Sequence, residues 1–459
     1  MNQSEAHYKR MTQTPVEHLI VALSVPTILS MLITNIYNLA DTYFVGTLGV
    51  SASGAVGVVF TLMTILQALA FMLGHGSGSV ISRLLAERDV DTASRYLSTS
   101  FFAALGLGGL LLLIGIPCVT PLMRLLGSTE TILPFAREYA FYILLSAPLL
   151  MASLVLNNVL RYEGKANYGA IGLTLGGVLN MIGDPILIYG FGMGVDGAGL
   201  STAISQAVSF IVLLTMFLRH AQCKISLRHL RRTNLSIIAD ILTTGFPNLF
   251  RQGLMSVSSG ILNHSAGVFG DACVSAMAIT SRVVNFLVSI AIGICQGFQP
   301  VAGFNYQVKK YARLRRAFRF TLILNIIVLA VMGGVSVRFA PFIVSRFQDS
   351  PDVLRIGGPA LRYAGICLVF SAFNLAPSML FQTCGLKVRA LLLASLRGGI
   401  CFIPFILTLP PILGVLGIQI AQPLGDILMA SISLPFIVHF FHHIPKEDVH
   451  VPEDDIIEP

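Results

Sequence analysis

Tryptophan is absent from the 459 residues, and charge is scarce: Asp, Glu, Lys and Arg make up 11% of the chain, against the roughly 25% of an ordinary soluble domain. So little charge excludes a soluble enzyme, and without Trp any anchoring at a membrane interface falls to Tyr, Phe, Lys and Arg. The seven cysteines are odd in number, show no CxxC or Cys/His ligand spacing, and fall mostly in apolar stretches, so buried thiols are expected. Long polar loops are missing too, which leaves no room for a catalytic domain. A cleavable leader is not expected: the first 15 residues are polar, and the apolar run after them is too long for a signal h-region and lacks an A-x-A site.

What is present is hydrophobicity along the whole length, 54% of residues and a mean hydropathy of +0.78. A spanning helix needs about 20 mainly apolar residues. Twelve such stretches are expected, helices 1 to 12 below: 17–46, 52–80, 96–120, 134–160, 167–191, 197–219, 237–267, 272–303, 316–345, 357–384, 389–411 and 414–441. This implies an all-α polytopic membrane protein, and the absence of short alternating segments argues against an outer-membrane barrel. With the N-terminus inside, the tails and the loops after even-numbered helices hold 22 of the 30 Lys and Arg, among them Lys9, Arg83, Arg161, Arg228, Lys309, Lys387, Arg389 and Arg397. The positive-inside rule then puts both termini in the cytoplasm. The excess of base over acid is explained by topology and anionic lipid rather than by nucleic acid.

The second half lies on the first at an offset of 221, pairing Pro26 with Pro247, Gly46 with Gly267, Gly49 with Gly270, Gly76 with Gly297, Arg95 with Arg316 and Gly164 with Gly385. One deletion later, Gly194 and Gly197 meet Gly414 and Gly417. The expected organisation is a cytoplasmic segment (1–16), an N-lobe (17–219), a basic linker (220–236), a C-lobe (237–441) and an acidic cytoplasmic tail (442–459). Two parallel six-helix lobes are a mark of secondary transporters.

The lobes differ in one informative way: Asp41, Asn180 and Asp184 face Leu262, Cys401 and Phe405 in the alignment. Thr34, Tyr37, Asn38 and Asp41 form one stripe of helix 1 at i, i+3, i+4, i+7. Asn180 and Asp184 share a face of helix 5, and Pro185 frees the carbonyl of Met181. At 1.5 Å per residue, Asp41, Asp184 and Thr202 all lie roughly 6 to 9 Å below the outer surface. Burial and like charge both oppose two ionised carboxylates side by side. Such a pair can take up a proton or hold Na+ with amide, hydroxyl and carbonyl oxygens, and the sequence does not choose between them. Asp426 in helix 12 has no acidic companion and reads as structural.

These residues resemble the multidrug and toxic compound extrusion (MATE) family along nearly the whole chain. The resemblance rests on Pro26 followed by Asn38-Leu-Ala-Asp41-x-x-x-Val45-Gly46, on Leu160-Arg161-x-Glu163-Gly164, on Asn180-x-x-x-Asp184-Pro185 and on Gln299-Pro300-x-x-Gly303-x-Asn305-Tyr306. Gln307 departs from the family's usual Gly. The first-lobe acids are similar to those of the DinF-type branch, and helix 7 (Leu249-Phe250-Arg251-Gln252) lacks the glutamate of the NorM-type branch. The resemblance implies a V-shaped, twelve-helix antiporter, expelling organic cations or zwitterionic drugs as H+ or Na+ enters by alternating access. It implies no cofactor beyond the transported ion and no structural metal, with Na+ admissible only at the carboxylate site. By position, Asp41, Asn180, Asp184 and Thr202 would form the cation site, and Tyr37 and Tyr139 its hydrogen-bond network. Pro26 would be the helix bend, and Met31, Asn157 and Gln206 would line the drug cavity. The expected partners are small molecules and membrane lipids, with no nucleic acid and a monomeric state. The alternative is a lipid-linked oligosaccharide flippase of the same superfamily, which would need a more basic cavity than this acidic pocket.

Two motifs are set aside. Gly192-x-Gly194-x-x-Gly197 has no strand before it and fails the context of a dinucleotide loop. Gly74, Gly76 and Gly78 lie in helix 2, where small residues allow close helix packing.

Overall fold

The computed structural model describes residues 3–348 and 350–448; the acidic tail expected at 442–459 lies outside the described residues from 449 on. Among the described residues the regular structure is helical throughout. Eleven helices are long and apolar enough to cross a membrane: Val16–Gly46, Ser51–Ala86, Val90–Gly115, Leu133–Tyr162, Ala166–Gly190, Gly194–His220, Asp271–Gln307, Tyr311–Phe347, Pro351–Thr383, Lys387–Leu413 and Val415–His443. The twelfth expected span, helix 7, is an unbroken 33-residue helix, Leu235–Gly267. Asp240, Thr243, Thr244, Asn248, Arg251 and Gln252 make it more polar than its neighbours.

Two features were not anticipated. A polar helix, Gln3–Gln13, precedes helix 1. It is fixed by rings and hydrogen bonds rather than by an apolar run: His7 and Tyr8 meet the Phe304 ring edge-on at 5.4 and 5.6 Å, Asn305 Nδ2 donates to Met11 O at 3.3 Å, and Arg313 Nε donates to the same carbonyl at 3.2 Å. The second feature is a correction. Arg397, counted above with the cytoplasmic arginines, lies ten residues into helix 11, inside a π-helical turn, Leu396–Ile400.

The chain forms two compact units, one comprising Leu29–Gly245 and the other Ala6–Ile28 with the chain from Phe246 on. The cuts fall within helices 1 and 7, close to the paired prolines Pro26 and Pro247, rather than at the expected linker. Packing inside each unit explains why. A Cβ at Gly76 would lie 2.1 Å from the Ile241 carbonyl, and one at Gly245 1.8 Å from that of Met72, so helix 2 and the start of helix 7 touch backbone to backbone. In the second unit the partner of Gly76 in the repeat, Gly297, takes the start of helix 1 in the same way: its Cβ would meet Ser24 N at 2.6 Å, and Ser24 Oγ donates to Ile294 O at 3.1 Å.

The repeat is also written in the backbone. Gly49 and Gly270 begin helices 2 and 8 at φ 131° and 97°, Gly164 and Gly385 follow helices 4 and 10 at 72° and 78°, and Gly194 and Gly414 stand at 60° and 59°. Arg88 and Lys309, again 221 apart, are the two non-glycine residues at positive φ among the described residues.

Six of the seven thiols are buried, as expected, but Cys118 is exposed. It falls inside the expected stretch 96–120, but the helix ends at Gly115, and Cys118 stands in the turn before the short helix Val119–Leu125.

Candidate cation site

The first unit brings the expected carboxylates together through three helices. Helix 5 supplies Asn180 and Asp184 one turn apart, and Pro185, which has no amide hydrogen to continue the ladder, is followed by a π turn at Ile186–Gly190. Helix 6 can approach because glycines remove the intervening side chains. A Cβ at Gly183 would lie 2.5 Å from Ser201 Oγ, and one at Gly199 would lie 2.6 Å from the Tyr142 ring and 3.1 Å from that of Tyr139. Helix 1 closes on helix 5 the same way, with Gly177 facing Tyr37 Cδ1 at 3.0 Å.

Within this frame Tyr139 Oη donates to Asp41 Oδ2 at 2.7 Å. Asn180 Nδ2 donates to Asp184 Oδ1 at 3.1 Å and to Thr202 Oγ1 at 3.1 Å. Ser201 Oγ donates to the Asn180 carbonyl at 3.3 Å. Asp41 acts electrostatically on Asp184, on Tyr37 and on Tyr139. The relative exposures of Asp41, Asn180, Asp184 and Thr202 are 7, 2, 0 and 3%, so none of these groups has bulk solvent to lean on.

Three oxygens decide what the pocket can do. Asp41 Oδ1, Asn180 Oδ1 and Asp184 Oδ2 are buried without a donor. Buried polar atoms in proteins are ordinarily paired, and all three are acceptors when the acids are ionised. A proton on one carboxylate turns an acceptor into a donor. A hard cation satisfies carboxylate, amide and hydroxyl oxygens together. Carboxylate, amide and hydroxyl oxygens thus converge here around the single amide donor of Asn180.

The remaining expectations are distributed differently. Pro26 lies inside a continuous helix, in the segment that packs with the second unit. Met31, Asn157 and Gln206 are half-buried, and neither Asn157 nor Gln206 hydrogen-bonds to either carboxylate. Ser201 belongs to the network and was missed; a hydroxyl beside Thr202, opposite a glycine of helix 5, was its one sequence signal.

The MatE family model matches residues 26–186 and again 247–408, two segments that begin 221 residues apart. Multidrug export protein MepA of Staphylococcus saprophyticus is 28% identical over 413 residues, 90% of this chain and 91% of its own. MepA of Staphylococcus aureus strain MSSA476 is 26% identical over the full length of both chains. Among solved structures, an outward-facing multidrug resistance MATE family transporter matches with a TM-score of 0.89 at 27% identity, covering 95% of this chain and 98% of the other. A transporter of the MOP superfamily from Pyrococcus furiosus gives the same TM-score at 26% identity, with the same coverage. With its duplicated family match and its multi-pass helical fold, the chain belongs to the multidrug and toxic compound extrusion family of membrane efflux transporters and is not an enzyme.

Proposed function

We propose that the protein is a cation-coupled antiporter of the DinF type, exporting organic cations or zwitterionic drugs across the cytoplasmic membrane in exchange for H+ or Na+, with both termini inside. The observation that carries this reading is the pair of buried carboxylates, Asp41 and Asp184, with three acceptor oxygens left open. Coupling requires that ion and substrate prefer opposite states or compete for the same groups. A pocket that is stable only with its acceptors satisfied meets that requirement, because releasing the ion leaves charge that a cationic substrate can offset. The multidrug export activity named for the MepA relatives agrees with this cargo. Asp41, Asn180, Asp184 and Thr202 hold the ion, Tyr37 and Tyr139 orient the carboxylates, Pro26 gives helix 1 its point of flexure, and Met31, Asn157 and Gln206 face the cargo. The two lobes alternate access, and the protein acts as a monomer among lipids without a resident cofactor. The acidity of this pocket speaks against the pyrophosphate cargo of a flippase.

The test is efflux of a fluorescent organic cation from proteoliposomes under an imposed proton gradient or, separately, a sodium gradient. Extrusion driven by one of them and abolished in Asp184→Asn is the expected result. Undiminished extrusion in both Asp184→Asn and Asp41→Asn would overturn the site.

A further inference from the structure

The second unit holds charges that the cation site does not use. A cavity of about 120 Å³ opens inside it, lined by helices 7, 8, 10, 11 and 12, with Arg397 and Asp426 both on its wall. This is well above the roughly 10–15 Å³ that a single water needs. Arg397 reaches the cavity through the π turn of helix 11. There Gly398 and Gly399 let the backbone close on helix 7: their Cβ atoms would lie 2.9 Å from Leu254 Cβ and 2.4 Å from Ser258 Oγ, and Ser258 donates to Gly398 O at 2.9 Å. The turn that carries Arg397 is therefore pinned at its backbone.

Its charge is not neutralised locally. No ion pair within 4.0 Å joins Arg397 to Asp426, although the two interact electrostatically. Arg397 Nε is buried without an acceptor. Asp426 is held instead by its own helix, Gln422 Nε2 donating to Oδ1 at 3.0 Å. Arg397 also interacts electrostatically with Arg251, which adds repulsion rather than a counter-charge. Ionisable groups at this depth line a cavity or pair with one another. Here they stand apart across open space, beside the flexible apolar side chains of Met255 and Met277.

We infer that this cavity is a second, separate ligand site, for a small zwitterion whose carboxylate is taken by Arg397 and whose ammonium is taken by Asp426. A guanidinium matches a carboxylate with two parallel N–H donors, which an ammonium cannot do. A ligand with both charges completes each group's missing partner. A simple amine leaves Arg397 open, and a simple acid leaves Asp426 open.

The experiment is calorimetric titration of the purified full-length protein in detergent with the ω-amino acids from 3-aminopropanoate to 6-aminohexanoate, each beside the alkanoate and alkylamine of equal length. At least one amino acid is expected to bind tenfold or more tightly than both of its single-charge analogues. Arg397→Gln should abolish the advantage over the amine, and Asp426→Asn the advantage over the acid. Asp184→Asn should leave binding unchanged, which separates this site from the cation site. Ser281→Phe fills the cavity with both charges in place and should eliminate binding, so the inference stays exposed even if a charge variant does not fold. Absence of binding by the whole series, equal binding of an alkylamine, or binding that survives Ser281→Phe would overturn it.

Discussion

Replacing Gly245 by Ala tests the packing that assigns the start of helix 7 to the first unit. The added methyl would stand 1.8 Å from the Met72 carbonyl oxygen and 2.7 Å from its carbon. Both are backbone atoms, so no side chain can rotate away. Ordinary contact begins near 3.4 Å, so helices 2 and 7 must part by well over an ångström or the substitution must bend one of them. Overpacking of this kind costs about 1–3 kcal/mol. In a unit of this size that lowers the melting temperature by roughly 2–12 °C. The same substitution at Gly253 or Gly260, further along the same helix with nothing within 4 Å, is the control. There Ala gains helix propensity of up to about 1 kcal/mol. Thermal unfolding of the purified full-length variants reads the difference directly. If Gly245→Ala melted at or above the level of Gly253→Ala, helix 2 and helix 7 would not be in backbone contact, and the division of helix 7 between the units would be refuted.

The thiols report on topology: membrane-impermeant maleimide added outside intact cells should label Cys118, which is exposed beyond helix 3, and labelling only after the membrane is opened would invert the proposed orientation. Cys223 should stay unlabelled at neutral pH in the folded protein, because burial, with the Glu163 carboxylate beside it, pushes its thiol well above the usual range and the thiolate is the reactive form; raising the pH through the ordinary thiol range should not restore labelling until the fold opens. Glu163 accepts from the amides of Gln222 and Cys223 at 2.8 and 3.1 Å and from Lys165 Nζ at 3.3 Å, so Glu163→Ala strands buried donors at a cost of about 1–3 kcal/mol. The expected sign is faster proteolysis within 220–236, and unchanged cleavage would show that the linker is held by other contacts.

The spans were legible because lipid leaves the backbone no alternative to a helix, and the repeat because glycine is the residue that adopts positive φ cheaply. Gly49 with Gly270 and Gly164 with Gly385 confirm that logic atom by atom. The helix Gln3–Gln13 was not legible, since its order comes from Phe304, Asn305 and Arg313, some three hundred residues away. Arg397 was misplaced. Its charge was counted with the loop although the expected span 389–411 already contained it, and the π turn Leu396–Ile400 lies within that helix. The Asp184–Asn180–Thr202 cluster was visible from spacing and depth, whereas Ser201, which bonds both the side chain and the carbonyl of Asn180, was marked only by its place beside Thr202.

The exchanged helix segments bear on how such a chain arose. Residues 6–28 complete the second unit, and the end of the linker with the start of helix 7 completes the first. Cutting the chain within 220–236 would therefore yield two fragments, each missing the piece that the other carries. A six-helix ancestor would have faced the same deficit and met it by lending its first segment to an identical neighbour, as domain-swapped dimers do. On this view the joining of two copies into one polypeptide turned a reciprocal loan between molecules into a permanent internal exchange, and freed one copy to keep Asp41 and Asp184 while the other lost them.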